Sequence, residues 1–176
     1  MNSSKVTILQ HDVDALLIPS GHNLQLKAGT PVRVLQSRSG NHTVEVFGNR
    51  VVIGVEQSSA LGDNDADQKE GGSLSEGPLE TRIINQIKQC YDPEIPVNVY
   101  DLGLIYEISE VVSGKLTVSM TLTSPTCGMG PFIIKDIERK LYRLPEVDEV
   151  CISMVFDPPW NKSMMSMEAQ LSLGVL

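Results

Sequence analysis

The sequence predicts an α/β two-layer sandwich, with elements in the order α-β-β-α-β plus a C-terminal tail, preceded by a small all-β module. Three observations predict it. Residues 5 to 61 carry short β-rich runs closed by turn residues, with no helical period. Residues 63 to 77 are rich in Gly, Ser, Asp and Glu, with almost nothing to bury. From residue 78 onward, helical periods and two-residue periods alternate, as they do where helices and strands share one core. The expected organisation is an N-terminal β module over 1–62, an acidic Gly/Ser linker over 63–77 and an α/β domain over 78–176.

The β-rich runs are Ala15 to Ile18, Val32 to Leu35, Thr43 to Phe47 and Arg50 to Ile53. Turn chemistry separates them at Pro19-Ser20-Gly21, Ala28-Gly29-Thr30-Pro31, Ser39-Gly40-Asn41 and Gly48-Asn49. Gly48-Asn49 reads as a tight hairpin, and the module as a compact barrel or meander. His11, His22 and His42 all lie here, but their spacing matches no metal-ligand pattern, so they read as surface side chains. In the linker, Asp63, Asp65, Asp67, Glu70 and Glu76 stand against Lys69 alone, a local charge of −4 (five acids, one base). That acidity is solubilising or, alternatively, a docking tag for a basic partner.

Pro78 opens a helix whose inner face is Leu79, Ile83, Ile87 and Cys90 or Tyr91. The helix must end before Asp92-Pro93, because proline pushes the residue before it out of the α region. Asp92-Pro93-Glu94-Ile95-Pro96-Val97 is then a stiffened loop with two carboxylates, either a solvated connector or a platform that holds site groups still. Tyr100-Asp101-Leu102-Gly103 leads into a strand from Leu104 to Val111, Ser113-Gly114 turns it, and a second strand runs from Lys115 to Leu122. The next helix extends to about Arg143, with Ile133, Ile137, Leu141 and Leu144 inward and Lys135, Asp136, Glu138, Arg139 and Lys140 outward. A last strand, Val147 to Phe156, places Val150, Ile152, Met154 and Phe156 on one side and Cys151, read as structural, on the other. The tail from Asp157 is proline-stiffened, and Met164, Met165 and Met167 form either a binding lip or a lid over the core. A short helix or turn follows to Leu173.

Composition narrows the function. A net charge of −8 and the lack of any basic run argue against a nucleic-acid or anionic-membrane binder. No signal-peptide pattern and no membrane-length apolar run is present. Three cysteines without CxxC spacing suit a reducing cytoplasm, and fall short of the roughly four ligands that a self-contained zinc or iron–sulfur site needs.

The stretch that carries chemistry is Thr121-Leu122-Thr123-Ser124-Pro125-Thr126-Cys127-Gly128-Met129-Gly130-Pro131. It joins a strand end to a helix start, with Pro131 suited to the first helical position. Amide groups and the helix dipole there favour a thiolate at Cys127. Gly128 and Gly130 allow a ligand or partner close to the backbone. The alternative reading is a small buried cysteine that closes a turn.

Four motifs in order carry a resemblance: Asp92-Pro93-Glu94-Ile95-Pro96-Val97, Asp101-Leu102-Gly103-Leu104-Ile105, the Cys127 stretch, and Asp157-Pro158-Pro159-Trp160. Over roughly residues 78 to 174 the chain resembles the iron–sulfur cluster assembly family shared by SufT, PaaD and a subunit of the eukaryotic cytosolic iron–sulfur targeting complex. Leu17-Ile18-Pro19-Ser20-Gly21, Leu26-Lys27-Ala28-Gly29-Thr30 and Thr43-Val44-Glu45-Val46 resemble the β-rich extension typical of SufT. The resemblance implies a role in maturing iron–sulfur proteins rather than a catalytic turnover. It maps the family's cysteine onto Cys127, its loop acids onto Asp92 and Glu94, its further acid onto Asp101 and its strand-end hydroxyl onto Thr123. It implies a transient iron–sulfur cluster or iron as the bound species, with iron–sulfur scaffold or carrier proteins and client apoproteins as partners. Family members work beside, or fused to, a P-loop scaffold ATPase. This chain has no Gly-x-x-x-x-Gly-Lys-Ser/Thr, so any such ATPase is a separate chain.

One thiolate holds iron or a cluster only by sharing it, across a homodimer or with a client. Asp92 or Glu94 would add hard oxygen ligands or orient Cys127. The leading expectation is a cytoplasmic, non-enzymatic accessory factor in cluster assembly or delivery. A metal-free adaptor for scaffold and clients is the alternative. A thiol-dependent hydrolase or transferase is disfavoured, because no His follows residue 42 to pair with Cys127.

Overall fold

Three two-residue turns set the strand registers. Ser39-Gly40, Phe47-Gly48 and Ser113-Gly114 each place two successive residues at positive φ, the type I′ geometry whose twist matches that of paired strands. In the computed structural model, which describes residues 6–62, 74 and 76–175, the chain forms two compact units, Met1–Glu70 and Gly71–Leu176. Most of the stretch expected as a linker, residues 63–73 and 75, lies outside the described residues.

In the first unit, β1 (Val6–Ile8), β2 (Val13–Leu17), β3 (Asn23–Leu26), β4 (Pro31–Arg38), β5 (Asn41–Val46) and β6 (Asn49–Ile53) form one antiparallel sheet in the order β1-β4-β5-β6-β2-β3. A 3-10 helix, Val55–Leu61, follows and ends at Gly62 in the left-handed conformation. Leu9, Val13, Ala15, Val44, Val51, Ile53 and Leu61 are buried together. Three expectations need correction. The short strands β1 and β3 and the 3-10 helix were not foreseen, being too brief to show a period. The hairpin turn is Phe47-Gly48 rather than Gly48-Asn49, because Val46 pairs with Asn49 and Gly48 supplies the second positive φ. His42 is buried, with Nδ1 2.8 Å from the Ser37 hydroxyl; His11 and His22 are exposed.

In the second unit, α1 (Leu79–Ile87), β7 (Ile105–Ile108), β8 (Lys115–Met120), α2 (Gly130–Leu141) and β9 (Glu149–Met154) follow the expected order, and α3 (Met167–Leu173) lies in the tail. The class is mixed α/β. The sheet runs β7-β8-β9, with β7 antiparallel to β8 and β8 parallel to β9 from Lys115↔Glu149 to Met120↔Met154. A parallel pair needs a long crossover, and α2 is that crossover. The core joins Ile83, Ile87 and Cys90 of the α1 segment with Leu116, Val118 and Met120 of β8 and Ile133, Ile137 and Leu141 of α2.

Two further corrections fall here. Asp136 and Lys140 do not face outward. Lys140, only 2% exposed, donates from Nζ to the Gln89 carbonyl (2.6 Å) and to Asp136 Oδ2 (2.8 Å). The carbonyls that end α1 lack intrahelical donors, and a buried ammonium between one of them and a carboxylate answers that need. Cys151 is exposed on β9, directly opposite Thr117, so it is not a core residue.

Burial raises the Asp136 pKa, but Lys140 and Arg139 beside it outweigh that and hold the carboxyl below its usual value. The folded state therefore favours the ionised form. This contribution is complete above the unfolded pKa of about 4 and is lost as the pH falls further. Replacing Lys140 with Met strands a buried carboxylate and should lower stability by about 3–5 kcal/mol in urea unfolding at neutral pH. Lys140→Met with Asp136→Leu should recover most of the loss and flatten this part of the acid dependence.

Candidate functional site

The parallel pairing of β8 and β9 brings the carboxyl ends of both strands to one end of the sheet, and β7 begins there, with Ile105 opposite Met120. Ligand sites of parallel α/β units gather at that end. Three segments meet at it: the turn before β7, the loop from β8 to α2, and the tail after β9. Main-chain bonds tie them together. The Thr121 amide donates to the Leu104 carbonyl and the Val155 amide to Met120, both at 2.8 Å. From the tail, the Ser166 amide donates to the Asp101 carbonyl (2.8 Å) and Trp160 Nε1 to the Leu102 carbonyl (2.8 Å). The Tyr106 hydroxyl donates to the Pro158 carbonyl at 2.6 Å. Gly103 has φ +74°, and a β-carbon there would collide with the Met164 carbonyl. The tail methionines thus divide: Met165 is buried, Met164 lies against Gly103, and Met167 is exposed. The tail is strapped down.

The stiffened loop is closed at its neck by a bridge between Tyr91 and Asn98. Asp92 is buried, and its Oδ1 accepts the Glu94 amide (2.8 Å) and the Ile95 amide (3.1 Å). Burial raises the Asp92 pKa, more than these two bonds lower it. Glu94 is exposed. Asp101 is similarly engaged. Its Oδ2 accepts from Asn98 Nδ2 at 2.7 Å, its amide donates to Asn98 Oδ1 at 2.9 Å, and Lys88 Nζ stands 3.6 Å from Oδ1. Lys88 also lies 5.2 Å from the centre of the Tyr100 ring. Lys88 and Asn98 escaped the sequence reading, although an Asn three residues before an Asp is a spacing that local side-chain turns use.

Cys127 is half-buried, in the loop between β8 and α2. Its amide donates to the Ser124 carbonyl (3.1 Å) and its carbonyl accepts from the Gly130 amide (3.2 Å). Ser124 and Thr126 pair through their hydroxyls at 2.9 Å, and Thr123 is partly exposed just beyond β8. α2 begins without a side-chain cap. At Gly130 a β-carbon would press on Leu122 Cδ1 at 2.8 Å, so the glycine lets the start of α2 pack close to Leu122. The Thr121 hydroxyl is buried and has no hydrogen-bond partner among the described residues, a cost of about 1–3 kcal/mol at the edge of this loop. Burial pushes the Cys90 thiol far up, and the side chain packs in the core with Ile83 and Ile87. Among the described residues, no group of three or more His, Cys, Asp and Glu side chains lies close enough to hold a metal ion. The thiol that the described residues carry in this loop is Cys127, half-buried against the core.

The profile described as "Iron-sulfur cluster assembly protein" matches residues 80–153. A protein of Porphyromonas gingivalis named Fe-S protein maturation auxiliary factor is 50% identical over 97 residues, covering 55% of this chain and 92% of that protein. The Staphylococcus aureus Fe-S protein maturation auxiliary factor SufT is 43% identical over 84 residues, covering 48% of this chain and 96% of the relative. A crystal structure of a domain of unknown function from Bacillus anthracis superposes with a TM-score of 0.52 at 33% identity, covering 55% of this chain and 92% of that domain. The fold and these matches thus define a small α/β domain of the iron–sulfur cluster assembly type. The chain belongs to the iron–sulfur cluster assembly protein family.

Gly103→Ala should force Met164 away and release the strap. The protein has one tryptophan, Trp160, so its emission should shift to the red as the bond to Leu102 is lost. Stability should fall by about 1–3 kcal/mol, read from the same signal in urea.

Proposed function

We propose that this protein is a non-enzymatic accessory factor in iron–sulfur cluster assembly, or in delivery of clusters to client apoproteins, with Cys127 as its ligating thiol. The observation that carries the reading is the match of its α/β unit to relatives named as maturation auxiliary factors, at up to 50% identity. The single half-exposed thiol where β8, β9 and β7 meet supports it. The cluster or iron is cargo. One thiolate from this chain leaves the other coordination positions to a second copy, a carrier or the client, and such sharing favours release over storage. In this reading Thr123 and Glu94 are the further contacts for the cargo, whereas Asp92 and Asp101, each engaged in local hydrogen bonds, stabilise their own loops. We also read the unit as a two-layer sandwich, both helices covering the β8 face that carries Leu116, Val118 and Met120. Partners in this reading are cytoplasmic scaffold or carrier proteins, client apoproteins and a separate P-loop ATPase.

A metal-free adaptor is the second reading. It is favoured by the commitment of Asp92 and Asp101 to local hydrogen bonds. Anaerobic reconstitution with iron and sulfide separates the two. Under the carrier reading, wild type and Cys151→Ser gain a labile visible chromophore and the matching mass, and Cys127→Ser gains neither. A chromophore that survives in Cys127→Ser removes the assigned ligand. No chromophore in any of the three, with client binding intact, moves the function to recruitment.

A further inference from the structure

A second feature lies at the far end of β7, away from Cys127. The start of α1 and the segment after β7 enclose a groove of about 310 Å³, near the lower limit of small-ligand pockets, about 300–1,000 Å³. Leu79, Ile83, Ile108 and Val111 line it. Of these only Ile83 is fully buried; the others leave apolar surface in water. Glu80 on α1 and Glu110 beyond β7 also line it, and both are exposed. Neither carboxylate makes an ion pair with a described residue. The cations closest in sequence are already engaged: Arg82 with Glu146 and the Leu74 carbonyl, and Lys115 with Glu149. Exposed Glu76 precedes Leu79 by three residues, and Val112, next after the groove, is 66% exposed.

An apolar floor between two uncompensated carboxylates selects a particular occupant. A neutral or anionic side chain would desolvate both acids without pairing them, which is costly. A lysine or arginine side chain lays its methylene stem on apolar surface and carries its charge to the rim. We propose that this groove docks a basic segment of a partner protein, a Lys or Arg flanked by apolar residues. Charge complementarity of this kind speeds encounter and fixes register, and it weakens with salt. Since the groove and the thiol loop lie at opposite ends of β7, a partner held here leaves Cys127 open.

The test uses the full chain, isotopically labelled, with acetyl-Leu-Arg-Leu-Lys-Leu-amide as the probe and acetyl-Leu-Glu-Leu-Glu-Leu-amide as its control. The basic peptide should shift the amide resonances of residues 79–83 and 108–111, more weakly at high salt, and the acidic peptide should not. Glu80→Gln with Glu110→Gln should weaken binding about tenfold or more in a protein whose other resonances are unchanged. Equal binding of the acidic peptide, shifts confined to other residues, or full affinity in the double variant would overturn the proposal. So would a concentration-dependent dimer abolished by the double variant, which would assign the groove to a second copy of the chain.

Discussion

The parallel pairing of β8 with β9 is the constraint on which the second unit depends. Antiparallel neighbours are joined by a turn, as Ser113-Gly114 joins β7 to β8; parallel neighbours must be joined from one end of the sheet to the other. α2 makes that return, so the loop that enters it has to leave from the carboxyl end of β8. The segment that leaves β9 emerges at the same end, and β7 starts there by its antiparallel register. The position of Cys127 beside the turn and the tail therefore follows from one choice of strand direction. The buried Lys140–Asp136 pair secures the choice by fixing α2 against the end of α1.

Around that end, rigidity and chemistry fall to different residues. Prolines restrict the backbone, Asp92 and Asp101 bind main-chain and Asn98 donors, and Trp160 and Ser166 anchor the tail. Cys127 is held by its backbone and lies half-buried against the core. A carboxylate used as a staple gives shape to the loop that carries it. In the carrier reading proposed above, such an arrangement suits a species handed from one molecule to another.

Much of the fold was legible because burial imposes a period. Leu116, Val118 and Met120 alternate with polar residues and are the inward face of β8, and Ile133, Ile137 and Leu141 repeat at helical spacing on α2. What periodicity misses is polar burial: Lys140 and Asp136 are written like any solvated helix face, and only the open carbonyls at the end of α1 explain them. Short elements such as Val6–Ile8 were invisible because three residues define no period. The site was legible as motifs and illegible as a place. Leu102, Leu104, Thr121, Trp160 and Ser166 are far apart in sequence, and the bonds that join their segments are a product of strand direction. The local bonds of the two aspartates also needed structure, since a carboxylate that staples a loop looks in sequence like any other.

The strapped tail bears on how the protein is made. A ribosome releases the chain from its N-terminus, and the last strand of the six-stranded sheet is complete at Ile53. The bond that secures the Asp101 turn, by contrast, comes from Ser166. The β unit can be finished while the thiol-bearing unit still lacks its final fastener. Cys127 therefore leaves the exit tunnel before its surroundings are locked, and it is presented in its final setting only after Ser166 has followed it.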